Sequence, residues 1–331
     1  MAMEGTLILK RQDVSLLLTI EECIAAVEQV FRLQGEGKTA PPGILGVHAR
    51  DGGFHIKAGL LELERTYFAA KANANFPQNM KRFGLPLIQG VIVLCDAENG
   101  YPLAIMDSIE ITIQRTGAAT AVAAKYLARR EAQTVTIVGC GNQGHISLRA
   151  LAKVVPVKKA FAYDTDVAQA QSFARYLAEE LSIEVEVVGD LEKAVRQSDI
   201  LITCTPSKQP FLKYDFVQPG TFVAAVGADS PEKQELEPAL MAQAKIVADK
   251  IEQCATIGEL HHALEAGIVA KENVHAELGE VVAGVKAGRS SADEIIVFDS
   301  TGMALQDVVA AAAVYEKAVR SGRGTRINLS D

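Results

Sequence analysis

Residues 134–151 read TVTIVGCGNQGHISLRAL, and this stretch decides the fold. The β-branched apolar run predicts a buried strand, and the residues after the last glycine have the pattern of a helix. Gly139, Gly141 and Gly144 spell G-x-G-x-x-G between the two. Gly139 permits a tight turn, Gly141 lets backbone N–H groups approach a pyrophosphate, and Gly144 allows close helix–strand packing. We therefore predict that this turn binds a dinucleotide.

An acidic residue follows the glycine turn at about the sequence spacing that is typical of dinucleotide-binding domains. The next strand, KAFAYD, ends in Asp164, which lies 164 − 144 = 20 residues after Gly144. A carboxylate at this position accepts hydrogen bonds from the adenosine ribose and repels a 2′-phosphate. NAD is the expected cofactor, and NADP is the alternative.

Further cofactor contacts are expected where the strands end, because ligands of open α/β sheets lie outside the carboxyl ends of the strands. Together with the glycines of the turn, the predicted cofactor-binding residues are Asn142, Gln143, Asp164, Thr165, Thr205, Pro206, Val226, Gly227 and Ser300.

The chain around this turn has two regions that differ in their pattern of predicted strands and helices. Apolar strands alternate with helices across residues 116–304, which predicts a Rossmann-type domain with a parallel sheet. Residues 1–115 combine one amphipathic helix with alternating strand-like pieces and an ENGYP turn, which predicts an α+β domain with a largely antiparallel sheet. A long helix follows the last strand, so we expect residues 305–331 to return to the first domain and make it discontinuous.

Composition limits the classes of function. The chain has 331 residues, is 49% apolar and carries a formal charge of −8. It offers no basic surface for nucleic acid or anionic membranes. Its five cysteines contain no C-x-x-C pair, and its histidines lack metal-ligand spacing, so we expect reduced thiols and no metal. The first residues lack the apolar core of a signal peptide, and a cytoplasmic protein is expected.

Several blocks of sequence occur in one order that resembles the ornithine cyclodeaminase/μ-crystallin family. They are ILKRQDVSLLLTIEECIAAVEQVF, KANANFPQN, MDSIEITIQRTGAATAVAAKYLARR, IVGCGNQG, VGADSPEKQEL and VFDSTGMALQDVVAA. The resemblance covers about residues 7–320. It implies that the first domain carries substrate groups and the interface of a homodimer, and that Thr116 contacts a cofactor phosphate.

The resemblance also assigns three candidate residues for chemistry. Lys71 matches the family's substrate lysine, which holds a carboxylate and polarises an imine carbon; an ordinary lysine at the rim of the sheet is the alternative. Arg115, expected near the start of an Ala-rich helix, matches the arginine that grips the substrate carboxylate, a task suited to its planar fork. Asp229 matches a general base or proton relay, although a helix cap before SPEKQEL is a rival interpretation.

The segment RDGGFHIKAGL departs from the cyclodeaminase pattern. Where the family's namesake carries a glutamate for the terminal amine of ornithine, this segment offers Arg50, His55 and Lys57. Strand alternation places His55 and Lys57 on one face, and either a solvated edge or a substrate role is open for them. Arg50 and His55 are kept as candidate substrate-binding residues.

The leading hypothesis is an NAD-dependent oxidoreductase acting on the C–N bond of an α-amino acid or its imine, which can be cyclic. Alanine dehydrogenase and pyrroline-carboxylate or ketimine reductase are the patterns that it resembles. One alternative is an ornithine or lysine cyclodeaminase that releases ammonia and retains NAD. The other is a non-catalytic ligand-binding protein of the μ-crystallin type.

Overall fold

The structure is a computed structural model, and it describes residues 5–329. These residues form two compact units. The first unit contains the described residues up to Val30, Gly37–Arg115 and the residues from Met303 onward, and the second contains Phe31–Glu36 and Thr116–Gly302. None of the helices within residues 5–329 is both long and apolar enough to span a bilayer.

The first part of the chain supplies most of the first unit. Its strands are β1 (Thr6–Leu9), β2 (Gly43–Ala49), β3 (Gly52–Glu62), β4 (Thr66–Asn75), β5 (Ile88–Asp96) and β6 (Pro102–Asp107). Its helices are α1 (Arg11–Leu17), α2 (Ile20–Gly35), α3 (Asn79–Phe83) and α4 (Ser108–Leu127).

Strands and helices then alternate through the second unit. The strands are β7 (Thr134–Val138), β8 (Lys159–Tyr163), β9 (Glu184–Val187), β10 (Ile200–Thr203), β11 (Lys208–Leu212), β12 (Phe222–Ala225), β13 (Gln234–Leu236), β14 (Lys245–Ala248), β15 (Ala276–Glu277) and β16 (Ile296–Asp299). The helices are α5 (Asn142–Leu151), α6 (Val167–Leu181), α7 (Leu191–Val195), α8 (Pro238–Gln243), α9 (Ile251–Ile257), α10 (Glu259–Glu265) and α11 (Leu278–Val282). The chain ends in α12 (Ala304–Ser321) and β17 (Thr325–Ile327), both in the first unit.

The first unit is built on a seven-stranded sheet in the order β17-β1-β6-β5-β4-β3-β2. All neighbouring strands are antiparallel except β1 and β6, as the sequence predicts. Helix α12 covers one face of this sheet. Gly59 on β3 makes room for the helix, because a Cβ at Gly59 would lie 2.9 Å from Leu305 Cδ2.

The opposite face of strands β2–β5 is apolar and exposed. Side chains alternate between the two faces of a strand, and the register puts one set of large residues on the face that α12 does not cover. These residues, which we call the outer face, are Leu45, Val47, Phe54, Leu60, Phe68 and Val91, each at least 36% exposed. An exposed apolar patch of this kind marks an interaction surface.

The second unit contains an eight-stranded parallel sheet in the order β15-β14-β16-β12-β10-β7-β8-β9. Its central strands are fully buried, with Val135, Ile137, Leu201 and Val223 at 0% exposure. Burial on both faces explains why these strands read as continuous apolar runs. The predicted α/β class with a Rossmann-type sheet is confirmed.

Two details differ from the sequence predictions. Helix α4 begins at Ser108, where Asp107 accepts a hydrogen bond from Glu110 N, so Arg115 lies in the helix interior and the expected position near a helix start is wrong. Residues 230–233 form a turn and α8 begins only at Pro238, so Asp229 does not cap a helix.

Candidate functional site

The glycine turn has the geometry that its spacing predicts. Gly139 follows β7 with φ +102°, a conformation that favours glycine. A Cβ at Gly144 would lie 2.2 Å from Gly139 O, so α5 approaches the turn more closely than any side chain allows. A Cβ at Gly141 would meet no protein atom within 4 Å. Gly141 is also the N-cap of α5, and no side chain at this position covers the backbone N–H groups that begin the helix, the kind of groups that bind phosphate.

Asp164 lies beside this turn, directly after β8. One carboxylate oxygen accepts a hydrogen bond from Cys140 N at 2.8 Å, and the other accepts one from Asp166 N at 2.9 Å. The backbone therefore fixes the orientation of the carboxylate. Each oxygen keeps capacity for a second donor, which is what a ribose diol requires.

The loops after β10 and β12 are tied together by a glutamate. Glu235 is fully buried and accepts hydrogen bonds from Thr205 N at 2.6 Å and from Gly227 N at 3.0 Å. Burial raises the pKa of Glu235, although these hydrogen bonds oppose the rise. Pro206 and Val226 flank the same two loops. The predicted cofactor residues of this edge are thus held as one group by a residue that the sequence analysis did not select.

The other predicted cofactor residues differ in exposure. Asn142 and Thr165 are exposed, Gln143 is half-buried, and Thr116 is 8% exposed. Ser300 follows β16 and is buried, and its hydroxyl donates a hydrogen bond to Asp249 Oδ2 at 3.0 Å. The Ser300 hydroxyl therefore has a protein partner.

In the first unit, Lys71 and Arg115 converge on one carboxylate. Lys71 Nζ, on β4, lies 2.7 Å from Asp307 Oδ2, and Arg115 Nε, on α4, donates to Asp307 Oδ1 at 3.1 Å. Lys71 also donates to Thr112 Oγ1 at 3.3 Å, and Arg115 Nη1 donates to Gln306 Oε1 at 3.2 Å. All three charged side chains are at most 8% exposed. This arrangement, the Lys71–Asp307–Arg115 cluster, makes the sheet-rim interpretation of Lys71 wrong.

Burial and charge set the protonation of the cluster. Burial lowers the pKa of Lys71 to about 7; Asp307 opposes this change, and the neighbouring cations Arg115 and Lys57 add to it. Burial alone would raise the pKa of Asp307, but Lys71 and Arg115 more than offset that effect and lower it. The nearby thiol of Cys23 has its pKa raised to about 12 by burial and stays neutral. Lys71 can therefore gain or lose a proton near neutral pH.

Asp229 lies in the second unit, in the loop after β12. It is 57% exposed, and Lys233 Nζ lies 2.6 Å from its Oδ1. The backbone carbonyl of Lys233 is in turn 2.8 Å from His262 Nε2. Asp229 is thus an exposed carboxylate in contact with a lysine.

Two of the three cationic residues of RDGGFHIKAGL share the face of Lys71. Lys57 pairs with Lys71 in the register of β3 and β4, and His55 pairs with Asn73 two positions along. His55 is exposed and Lys57 is half-buried. Arg50 lies in the exposed turn between β2 and β3, and the structure does not bring it next to Lys71.

One group of side chains within residues 5–329 has metal-ligand spacing. It consists of His261, His262 and Glu265. His262 Nε2 is already engaged with a backbone carbonyl, and His261 pairs with Glu265 at 3.5 Å across one helical turn. These contacts account for the group as part of helix α10.

Asp307, Gln306 and Glu235 are the site residues that sequence reasoning missed. Asp307 is a lone carboxylate in the apolar run DVVAAAAV of α12, and this isolation is the only local signal that it offers. Glu235 lies in the segment SPEKQEL, in which three of the seven residues are charged. Nothing in that pattern distinguishes the buried glutamate from its solvated neighbours.

The parallel sheet, the glycine turn and Asp164 define a dinucleotide-binding protein with a second, mixed α+β unit. The chain belongs to the ornithine cyclodeaminase/mu-crystallin family, whose sequence profile matches residues 4–322.

Three solved structures illustrate the likeness. An archaeal alanine dehydrogenase dimer with bound NAD is 40% identical, with a TM-score of 0.93 over 98% of this chain and 99% of that one. The Δ1-pyrroline-2-carboxylate reductase of Thermococcus litoralis, in complex with NADH and L-proline, is 34% identical (TM-score 0.92, 97% and 100%). The iminosuccinate reductase of Paracoccus denitrificans, in complex with NAD⁺, is 32% identical (TM-score 0.90, 98% and 100%).

Proposed function

We propose that the protein is an NAD-dependent oxidoreductase that acts on the C–N bond of an α-amino acid or of its imine. The observation that carries the proposal is the Lys71–Asp307–Arg115 cluster, two buried cations beside each other in a chain that also has a dinucleotide turn. The three related structures named above are enzymes of this reaction class with NAD or NADH bound, which supports it.

Arg115 and Lys71 bind the substrate carboxylate in this proposal. The guanidinium is a planar donor that matches a carboxylate, and its contacts to Asp307 and Gln306 fix its orientation. Lys71 in its cationic form adds a second charge and polarises an imine carbon or a carbonyl oxygen. Holding the substrate in one orientation is itself a large part of catalysis.

Asp229 handles the proton at the substrate nitrogen or at an attacking water. As a carboxylate it accepts a proton in the direction of amine oxidation and returns it in the direction of imine reduction. Lys233 Nζ lies 2.6 Å from Asp229 Oδ1.

The cofactor residues fit NAD. Gly141 and the start of α5 would hold the pyrophosphate, and Asp164 would hold the ribose. The loops around Thr205 and Gly227 would add contacts to the cofactor at the carboxyl ends of β10 and β12. When bound, NAD supplies the hydride acceptor, and NADH the hydride donor, for the substrate carbon.

The experiment is a substrate panel followed by two variants. Amino acids, keto acids with ammonia or methylamine, and cyclic imines are assayed with NAD⁺, NADH or NADPH. Lys71→Ala should abolish turnover and leave the Kd for NADH unchanged, because Lys71 is in the other unit from the dinucleotide turn. Asp229→Asn should lower kcat by about 10²–10⁴-fold, the range typical of acid–base residues. Absence of turnover on the whole panel, or normal kcat in both variants, would reject the proposal.

Small neutral or acidic substrates are preferred over diamines in this proposal. On the face of Lys71, strand β3 presents His55 and Lys57, and the residues of that face, from Gly53 to Leu61, include no carboxylate for a second amine. Placing several cations around the second amine of a diamine is unfavourable, because like charges repel. Conversion of ornithine to proline with ammonia release and no net NADH would support the cyclodeaminase instead. Arg50 and His55 remain candidate contacts for an acidic substrate group.

We also propose a cytoplasmic homodimer in which residues 1–115 and 305–331 bind substrate and form the interface, and residues 116–304 bind NAD. The exposed outer face of β2–β5 supports the dimer, and a relative solved as a dimer agrees with it. The five cysteines are free thiols, which suits a reducing compartment.

A further inference from the structure

We propose that Asp307 is a positioning residue of this reaction: from helix α12 it holds Lys71 and Arg115 in place and keeps Lys71 cationic for the substrate carboxylate. The inference rests on the proposed function. Asp307 acts through Lys71 and Arg115, and its carboxylate divides between them, with Oδ2 toward Lys71 and Oδ1 toward Arg115.

The three partners come from three separate elements. Lys71 lies in the middle of β4, Arg115 in the interior of α4, and Asp307 in the first turn of α12. Each side chain alone would have rotamer freedom, and one buried carboxylate between two cations removes it. Asp307 accepts a hydrogen bond from Arg115 Nε, and Gln306 accepts one from Nη1. Together these two bonds also fix the orientation of the guanidinium plane.

The charges explain why an aspartate is needed here. Lys71 faces Arg115 from α4 and Lys57 from β3, and both cations disfavour its protonated form, as burial does. Asp307 is the carboxylate that opposes them, and the Cys23 thiol from α2 contributes no charge near neutral pH. Without Asp307, Lys71 would lose its proton at a lower pH. The neutral amine would then no longer attract the substrate carboxylate as a cation does.

The test compares Asp307→Asn with a matched control. Asp96→Asn removes another buried aspartate of the same unit that also pairs with an arginine, Arg65. In Asp307→Asn the basic limb of the kcat/KM profile should move down by about 1–3 pH units, the effect of losing one close opposite charge. Asp96→Asn should keep the wild-type limb. A uniform loss of activity at every pH in Asp307→Asn would mean a structural role and would overturn the inference.

A measurement without turnover separates this inference from the proposed function. The protein is labelled with ε-¹³C lysine, the Lys71 signal is assigned with Lys71→Arg, and its pKa is followed by NMR. Asp307→Asn should lower this pKa, and an unchanged or raised pKa would overturn the inference. If the wild-type enzyme acts on no substrate of the panel, the proposed function fails, while the titration still tests whether Asp307 raises the Lys71 pKa.

Should Asp307→Asn not fold, Asp307→Glu keeps the negative charge and should keep the Lys71 pKa. A lower Lys71 pKa in Asp307→Glu would overturn the inference.

Discussion

The carboxylate of Asp164 is oriented by the backbone N–H groups of Cys140 and Asp166, so it is in place before any cofactor arrives. Asp164→Ser should lower the ratio of kcat/KM for NADH over NADPH by roughly tenfold or more, because a hydrogen bond to a charged group contributes about 1.5–3 kcal/mol. Steady-state kinetics with both cofactors measure the ratio. Asp166→Ser is the control, since that side chain caps α6. A wild-type enzyme that uses NADPH as well as NADH would contradict the assignment.

Individual residues were predictable where spacing or a turn defined them. Gly139 and Asp164 follow from a local pattern, because the turn and the strand end are set by neighbours in sequence. Lys71 and Arg115 were selected by resemblance, and their meeting depends on strand register and helix packing. Asp307 lies 307 − 71 = 236 residues from its partner Lys71. No local pattern reports a contact at that distance.

At the scale of elements, Glu235 joins the ends of β10 and β12 through Thr205 N and Gly227 N. Glu235→Gln replaces one acceptor oxygen by an NH₂ group that cannot accept either N–H, so the two loops should separate. The Kd for NADH, measured by its fluorescence, should rise by about tenfold, because an unsatisfied buried donor costs roughly 1–3 kcal/mol. Glu237→Gln, two residues on at the start of α8, should leave the Kd unchanged. Equal Kd values for NADH in the wild type and in Glu235→Gln would show that cofactor binding does not depend on the hydrogen bonds of Glu235 to the two loops.

The elements themselves were largely readable from the sequence. The alternation of β3–β6 and the apolar runs of β7, β10 and β12 reflect burial on one or two faces, which residue type reports directly. The start of α4 was not readable, because the β-branched segment SIEITI favours a strand locally and packing makes it helical. The short β17 pairs with β1 from the other end of the chain, and no local signal marks it.

For the whole molecule, the outer face of β2–β5 predicts how copies associate. Val91→Lys puts a charge on this face and should weaken a dimer by at least tenfold, because an unpaired charge buried in the interface costs several kcal/mol. Sedimentation velocity across a dilution series gives the dissociation constant. Val167→Lys, at an exposed position of α6 in the second unit, is the control. A mass that stays the same for Val91→Lys would place the interface elsewhere.

The discontinuity of the first unit has a consequence for how the chain folds during synthesis. Residues 116–302 are continuous, so the parallel sheet can form as soon as they leave the ribosome. The mixed sheet must wait for α12, which arrives more than 190 residues after β6 (304 − 107 = 197). Until then, the face around Gly59 has no helix to cover it, and Lys71 and Arg115 have no Asp307. A nascent chain that stalls just after residue 302 has left the ribosomal exit tunnel would therefore present a finished dinucleotide unit and an unfinished, aggregation-prone sheet, the kind of surface that chaperones bind.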